Sequence, residues 1–275
     1  MRKRNVTGSV GGRLVVYAYA LFLIAPIYFI IVTSLKMAGE VTTNPLGLPE
    51  YPIIGNFVEA FTRGNIAKYS FNSVIITGSA VILSLLNAII VSFCLHKIAH
   101  KKIGVLFYAI IMGSMLIPGV GFVTLLQLYM KLHLYNNLLG PILMGATTGL
   151  PFNVFILVGF LRTLPKEISE AATIDGCNDR QHLFLVLLPL IKSALATLGI
   201  FAFVSNWNSL LGPLILLKNK ELFTIPLGLL DFRGTYTVEY NYMFAAILIT
   251  SVPLVVIYLR FQSYFVEALS GGVKG

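Results

Sequence analysis

The sequence predicts an all-α polytopic membrane protein with six transmembrane helices, and three observations lead there. Of 275 residues, 57% are hydrophobic and 11% charged, whereas soluble domains run near a quarter charged. Runs free of Asp, Glu, Lys and Arg recur at lengths close to the ~20 residues that a bilayer core asks of a helix. Backbone groups in lipid must be hydrogen-bonded within their own element, so such runs form helices.

In chain order the spans fall near Leu14–Leu35, Phe71–Leu95, Gly104–Leu128, Leu139–Leu161, Ser193–Leu217 and Tyr242–Leu259. They define a cytoplasmic N-terminus of residues 1–13, a transmembrane domain of residues 14–262 with a cytoplasmic loop at 163–192, and a cytoplasmic tail of residues 263–275. Met1-Arg-Lys-Arg4 resembles a secretory n-region. The apolar stretch after it is long for a signal peptide and lacks a small-x-small exit, which predicts an uncleaved first helix. Between the first two spans, Pro45, Pro49 and Pro52 predict an ordered excursion with one short amphipathic piece near Phe57–Phe61.

Orientation follows from the basic residues. With the N-terminus inside, Arg2, Lys3, Arg4, Arg13, Lys97, Lys101, Lys102, Arg162, Lys166, Arg180, Lys192, Arg260 and Lys274 are cytoplasmic, and Lys36, Arg63, Lys68, Lys131, Lys218, Lys220 and Arg233 are outside. That excess inside matches the positive-inside bias. It also accounts for the net charge of +9 without nucleic acid, since no basic cluster on a soluble surface is evident. Cys94 and Cys177 both fall on the reducing side, where neither is expected in a disulfide.

What the spans lack narrows function. None contains Asp, Glu, His, Lys or Arg. Proton- and ion-coupled carriers place such a group on the pathway, so a stand-alone secondary carrier for a small neutral solute becomes the competing reading; sodium sites built from carbonyls and hydroxyls keep it open. No catalytic residues are expected, because intramembrane proteases need acids, a base or metal ligands at depth. His96, His100, His133 and His182 show no metal-binding spacing, and no G-x-x-x-x-G-K-[ST] run occurs. The chain is thus predicted to be a non-enzyme with no cofactor of its own; any ATP would be hydrolysed by a partner.

The connection after the fourth span carries the strongest signal, Thr163-Leu-Pro-Lys-Glu-Ile-Ser-Glu-Ala-Ala-Thr-Ile-Asp-Gly176, continuing to Leu187-Leu188-Pro189-Leu190. Pro165 suits a first helical turn, and Glu167 and Glu170 lie toward the positive end of the dipole. Gly176 suits a left-handed C-terminal cap. The spacing predicts a short surface helix from Pro165 to Asp175 with Ile168, Ala171 and Ala172 on one face. Asn178 or Asp179 can cap a second helix, which Pro189 bends. The shape fits a transmitter of motion, and equally an amphipathic loop resting on headgroups.

Glu170-Ala171-Ala172, Gly176 and Val186-Leu187-Leu188-Pro189 resemble the EAA signature of bacterial ABC importer permeases. Asn72-Ser73, Ile117-Pro118, Trp207-Asn208 and the ending Gly271-Gly272-Val273-Lys274-Gly275 extend the resemblance to maltose-type carbohydrate-uptake permeases, in particular their shorter, MalG-like subunit. The resemblance implies the type I ABC importer permease fold and a multi-pass location in the bacterial cytoplasmic membrane. It implies three kinds of partner besides membrane lipid: a second homologous permease in a heterodimer, two ATPase subunits that bind ATP and Mg²⁺, and an extracytoplasmic solute-binding protein. Glu170, Ala171, Ala172, Asp175 and Gly176 would form the ATPase-coupling element. Phe232, Arg233, Gly234, Thr235 and Tyr236 would be the tip of an outer loop that meets the binding protein.

A sugar path needs neutral polar groups. Asn153, Ser205, Asn206, Trp207 and Asn208 are the candidates. Asn206 and Asn208 stand two apart and cannot face the same way; one is expected on the path, the other bonded to a neighbouring helix. Asn87, Thr124 and Gln127 read as packing groups.

Overall fold

The computed structural model describes residues 10–98, 101–116, 121–232 and 239–271, and among them every regular element is helical. Two compact units emerge, one from the described residues of Met1–Ala67 with Gly228–Val252, the other from those of Lys68–Leu227 with Pro253–Gly275.

In the first unit, α1 (Val10–Ser34) is long and apolar enough to cross a membrane, and most of its side chains are exposed. The excursion after it forms α2 (Ala38–Thr43) and α3 (Gly55–Arg63). Helix ends leave carbonyls without intrahelical donors. Here Asn56, on the buried side of α3, donates from Nδ2 to the Ser34 and Lys36 carbonyls at 2.9 Å each, while its Oδ1 accepts from Asn241 at 3.3 Å. The wholly buried Lys36 turns its Nζ onto the carbonyls of Asn44 and Pro45. Ala60, Ile66, Phe232, Ala245 and Ala246 form the core. Gly64 is obligatory for that packing, because a Cβ there would stand 2.7 Å from the Phe232 ring.

The second unit is built on α4 (Ile66–Lys97), followed by α5 (Lys102–Ser114), α6 (Phe122–Lys131), α7 (Leu139–Thr148) and α8 (Leu150–Thr163). Then come α9 (Lys166–Ile174), α10 (Asp179–Leu190), α11 (Lys192–Trp207) and α12 (Leu211–Leu216). The last helix, α13 (Tyr240–Gly271), runs from the first unit into the second. Val154, Leu157, Val158 and Leu161 recur at helical spacing and pack with Leu183, Leu187, Ile191, Ala194 and Leu198, which recur the same way.

The expected spans differ in kind. The first, second and sixth are single helices long enough to cross a membrane. The third, expected as Gly104–Leu128 with an interruption at Ile117-Pro118, is two shorter helices, α5 and α6; Ile117 and Pro118 lie outside the described residues. The fourth bends by 41° between α7 and α8, at Gly149 with Pro151 just beyond. The fifth, expected as an unbroken Ser193–Leu217, stops at Trp207 and resumes at Leu211. A 78° bend separates α10 from α11. The break falls at Ile191, two residues past Pro189. Pro189 has no N–H for the Leu185 carbonyl, and the turn ahead of it, His182–Leu187, is π-helical.

Polar clamps hold the segment between α12 and Leu227. Asn136, at φ +54°, accepts at Oδ1 from the Lys218 and Asn219 amides at 3.0 and 2.8 Å. Asn72 donates to the carbonyls of Glu221 and Phe223 at 2.9 and 3.0 Å, and the Ser73 hydroxyl accepts from Ile225 N–H at 2.9 Å. The Asn72-Ser73 pair singled out in the sequence is thus a strap for a distant loop.

Candidate functional site

Two places carry the candidate chemistry, the loop around α9 and a cavity beside the helix breaks. In the loop, Leu164 and Pro165 are extended and helix begins at Lys166, so Pro165 is the N-cap, not a residue of the first turn as expected. The far end is a Schellman cap. Gly176 takes φ +76°, its amide donates to the Thr173 carbonyl at 3.1 Å, and the Cys177 amide reaches the Ala172 carbonyl at 3.0 Å. Asp175 is the C-cap, with its amide on the Ala171 carbonyl. Two residues on, Asn178 and Gln181 exchange side-chain and backbone hydrogen bonds at 2.9 Å in a capping box that starts α10. Lys97 then pairs with Asp179 at 2.5 Å, tying the end of α4 to the start of α10.

One expectation about this helix needs correcting. Ala171 and Ala172 do not share a face toward a partner, because consecutive helical residues diverge. Ala172 is buried at 6% exposure, whereas Ala171 is exposed. The outward stripe is Glu167, Glu170, Ala171 and Ile174, and Ile174 stands 85% exposed. Ile174 went unnoticed in the sequence, although its place one turn after Glu170 could have revealed it.

The cavity measures about 410 Å³. Its wall is drawn from Ile76 and Ser84 of α4, Pro141, Met144, Gly145 and Thr148 of α7, Gly149 at the break, Phe152 and Asn153 of α8, Phe201, Ala202, Ser205 and Asn206 of α11, and Ser209, Gly212 and Pro213. Among the described residues, no Asp, Glu, Lys, Arg or His lines it. Phe152 and Phe201 meet edge-to-face, centroids 6.5 Å apart. Gly145 allows the helices to close on one side, since a Cβ would lie 2.0 Å from Asn206 Oδ1.

Of the five path candidates, the fold brings Asn153, Ser205 and Asn206 to this wall. Asn153 is buried and donates to the Ser84 hydroxyl at 2.9 Å, an interhelical bond. Trp207 is excluded from the wall: it is 3% exposed and stacks on Phe203 at 5.4 Å. Asn208 is exposed and also lies off the wall. Neither Asn206 nor Asn208 bonds a neighbouring helix through its amide, contrary to expectation; each donates back within α11, to Ala202 and Val204. Phe152, Phe201, Ser84, Thr148 and Ser209 escaped sequence reasoning. The polar interruption Thr147-Thr148-Gly149 within an apolar run was the available signal. Asn87, Thr124 and Gln127, expected as packing groups, are exposed in the chain alone.

Phe232 also departs from expectation. It is 5% exposed within the first unit's core and is not at a loop tip. Arg233, Gly234, Thr235 and Tyr236 lie outside the described residues.

Comparison with known proteins places this geometry in a family. The chain is 31% identical over 256 residues to a diacetylchitobiose uptake system permease protein of Streptomyces coelicolor, covering 92% of this chain and 85% of that one. It is 32% identical over 265 residues to an arabinooligosaccharides transport system permease protein of Halalkalibacterium halodurans, covering 94% of each. Its fold matches a chain of a bacterial ABC transporter that imports the acidic polysaccharide alginate, with a TM-score of 0.82 at 22% identity over 96% of this chain and 99% of that one. Residues 97–271, which hold the loop and most of the cavity wall, match the model of the binding-protein-dependent transport system inner membrane component, and the chain belongs to that family.

Proposed function

We propose that this chain, the permease of a binding-protein-dependent ABC sugar importer, forms half of the membrane path beside a second, homologous permease and takes its motion from two ATPase subunits through α9. The observation that carries the reading is the form of the loop. A short helix closed at its far end by a Schellman cap, and followed directly by the capping box that starts α10, presents Glu167, Glu170, Ala171 and Ile174 outward while Ala172 is buried beneath. Glu170, Ala171, Asp175 and Gly176 then act at the ATPase surface or in holding the helix shape, and Ala172 acts from beneath. ATP and Mg²⁺ bind the partner.

Six crossings follow if α5 with α6, α7 with α8, and α11 with α12 each count as one beside α1, α4 and α13, in the type I importer arrangement. The termini then lie in the cytoplasm of a bacterial cell, and the 218–241 segment faces a solute-binding protein, with Arg233 to Tyr236 as its contact. Ser205 and Asn206 line the solute path, and Asn153 braces it. The sugars named for the two relatives, diacetylchitobiose and arabinooligosaccharides, favour a neutral oligosaccharide.

The test is uptake of labelled neutral oligosaccharides by vesicles holding the chain with its partner permease, ATPases and binding protein. Uptake and ATP hydrolysis are expected to rise together on adding loaded binding protein. Glu170→Lys should leave membrane insertion intact and abolish both responses. Accumulation by the isolated chain under an ion gradient, without nucleotide, would overturn the reading in favour of a secondary carrier.

A further inference from the structure

We propose that α3 and the loop before it form a membrane-surface anchor, seated in the lipid interface at the Ser34 end of α1, the outer leaflet in the orientation given above. The inference stands apart from the solute and from α9, and concerns the first unit alone. The 25 residues of α1 run about 37 Å, more than the ~30 Å of a bilayer's hydrocarbon, so its far end comes out among headgroups. Asn56 ties α3 to that end through the Ser34 and Lys36 carbonyls, which fixes the helix at the same depth.

Around its axis α3 shows three sectors, where a helix packed on the surface of a soluble protein shows two. Asn56 and Ala60 are buried within the first unit. On a second side Glu59 and Arg63 pair at 2.6 Å. The third is apolar and bare: Val58 and Phe61 are exposed, and the N-cap Ile54, itself in helical conformation, extends the row by one turn. At 3.6 residues per turn the row is centred roughly 150° from the charged pair, so one can sink into lipid while the other stays in water. An interfacial helix has this layout, with its apolar side at the acyl boundary and its charges toward solvent.

The loop points the same way. Tyr28 Oη donates to the Leu46 carbonyl at 3.3 Å, and Tyr28 lies six residues, about 9 Å of helix, before Ser34. The loop therefore turns back along α1 from headgroup level toward the hydrocarbon, and Leu46 and Leu48 stand exposed on it. Backbone that enters this zone must not bring bare donors. Pro45, Pro49 and Pro52 have none, and the amides of Gly47, Glu50 and Ile53 are spent on Asn44 Oδ1, Glu40 Oε1 and the Leu35 carbonyl at 3.0, 2.9 and 2.8 Å. Lipid fits this surface better than a protein partner does, because Leu46 makes it continuous with α1, whose own Ile24, Ile27 and Ile31 are exposed. The Glu59 and Arg63 charges cancel, so the anchor accepts uncharged headgroups as readily as anionic ones.

The test places the photoreactive amino acid p-benzoylphenylalanine in turn at positions 54, 58 and 61, and at position 63 on the charged side as a control, in the full chain with its co-purifying partners in lipid vesicles. After irradiation, mass spectrometry of the α3 peptide identifies what each position has captured. Phospholipid adducts are expected at positions 54, 58 and 61, at least about fivefold above position 63. Their yield should stay within about twofold between vesicles of phosphatidylcholine alone and of phosphatidylcholine mixed with phosphatidylglycerol. Val58→Asp should lower the adduct at position 61 about fivefold, and Val58→Leu should leave it at the starting level. Capture of a peptide from the second permease or the binding protein at positions 58 and 61 overturns the anchor in favour of a protein interface. Lipid capture no higher than at position 63, or unchanged by Val58→Asp, overturns it outright. A several-fold rise in yield with phosphatidylglycerol overturns its indifference to headgroup charge. None of these readouts depends on uptake, so the anchor is decided whether or not the importer reading holds.

Discussion

The loop around α9 and the cavity at the helix breaks are made in opposite ways. Apart from the exposed Lys97–Asp179 pair, the features that fix the loop lie within one short stretch, from Pro165 to Gln181, and depend on backbone conformation and end caps. The cavity wall draws on residues from Ile76 to Pro213, and its shape depends on where separate helices stop, bend and approach. A device built locally keeps its shape when neighbours move. One built from several helices changes shape when they shift. The contrast predicts that single substitutions in the loop act through conformation and those in the cavity through contact.

The sharpest way to break this contrast is Gly176→Val. A Cβ at Gly176 meets nothing within 4 Å, so no clash opposes the change. The resistance lies in φ +76°, which costs an ordinary L residue about 1–2 kcal/mol and a β-branched one at the upper end. Losing the left-handed residue removes both bonds of the Schellman cap and re-aims Asn178 and α10. We expect uptake to fall to background while the amount of chain in the membrane, measured by immunoblot, stays at the wild-type level. Normal uptake would mean that the exposed stripe works without a fixed helix end.

These two regions also differ in how far the sequence disclosed them. Gly176, Asn178 and Pro189 each impose a local rule, so the cap, the capping box and the bend could be expected before any coordinates. Apolar runs revealed the helices because bilayer thickness sets their length. The same test is blind to interruptions: Gly149 and residues 208–210 sit inside stretches that remain apolar on average, so the fourth and fifth spans read as continuous. Phe152 and Phe201 were hidden for a related reason, since any Phe in a membrane helix has lipid or packing as a ready explanation. Trp207 drew notice by its depth, yet the side it faces is set by where α11 ends. The family resemblance puts Phe232 at a loop tip, whereas its ring stands against Gly64, a contact made only by tertiary structure.

A moderate effect is expected at the brace of the cavity. Asn153→Ala removes the 2.9 Å bond to Ser84 and leaves that hydroxyl buried among helices. Interhelical bonds of this kind in membranes average about 0.6 kcal/mol, with upper values near 1.7. The detergent-solubilised complex should melt a few degrees lower, and uptake by the assembled transporter should hold close to the wild-type value. The reverse pattern, unchanged melting with lost uptake, would move Asn153 from brace to ligand.

The smallest effect is expected where the loop meets α4. Lys97 and Asp179 pair at 2.5 Å, but the side chains are 44% and 69% exposed. Exposed pairs are generally worth about 0–1 kcal/mol and are screened by salt. Lys97 also lies 5.8 Å from the centre of the Phe93 ring, which itself meets His182 edge-on, so its stem has packing that survives loss of the carboxylate. Asp179→Asn should therefore lower uptake by less than about twofold at low salt, with the difference vanishing as salt rises. Asn178, one residue earlier, keeps its capping box in that variant, so α10 still starts where it did. If Asp179→Asn were as damaging as Gly176→Val and the exchange Lys97→Asp with Asp179→Lys restored uptake, the loop would depend on a long-range tie to α4, and its separation from the multi-helix cavity would not hold.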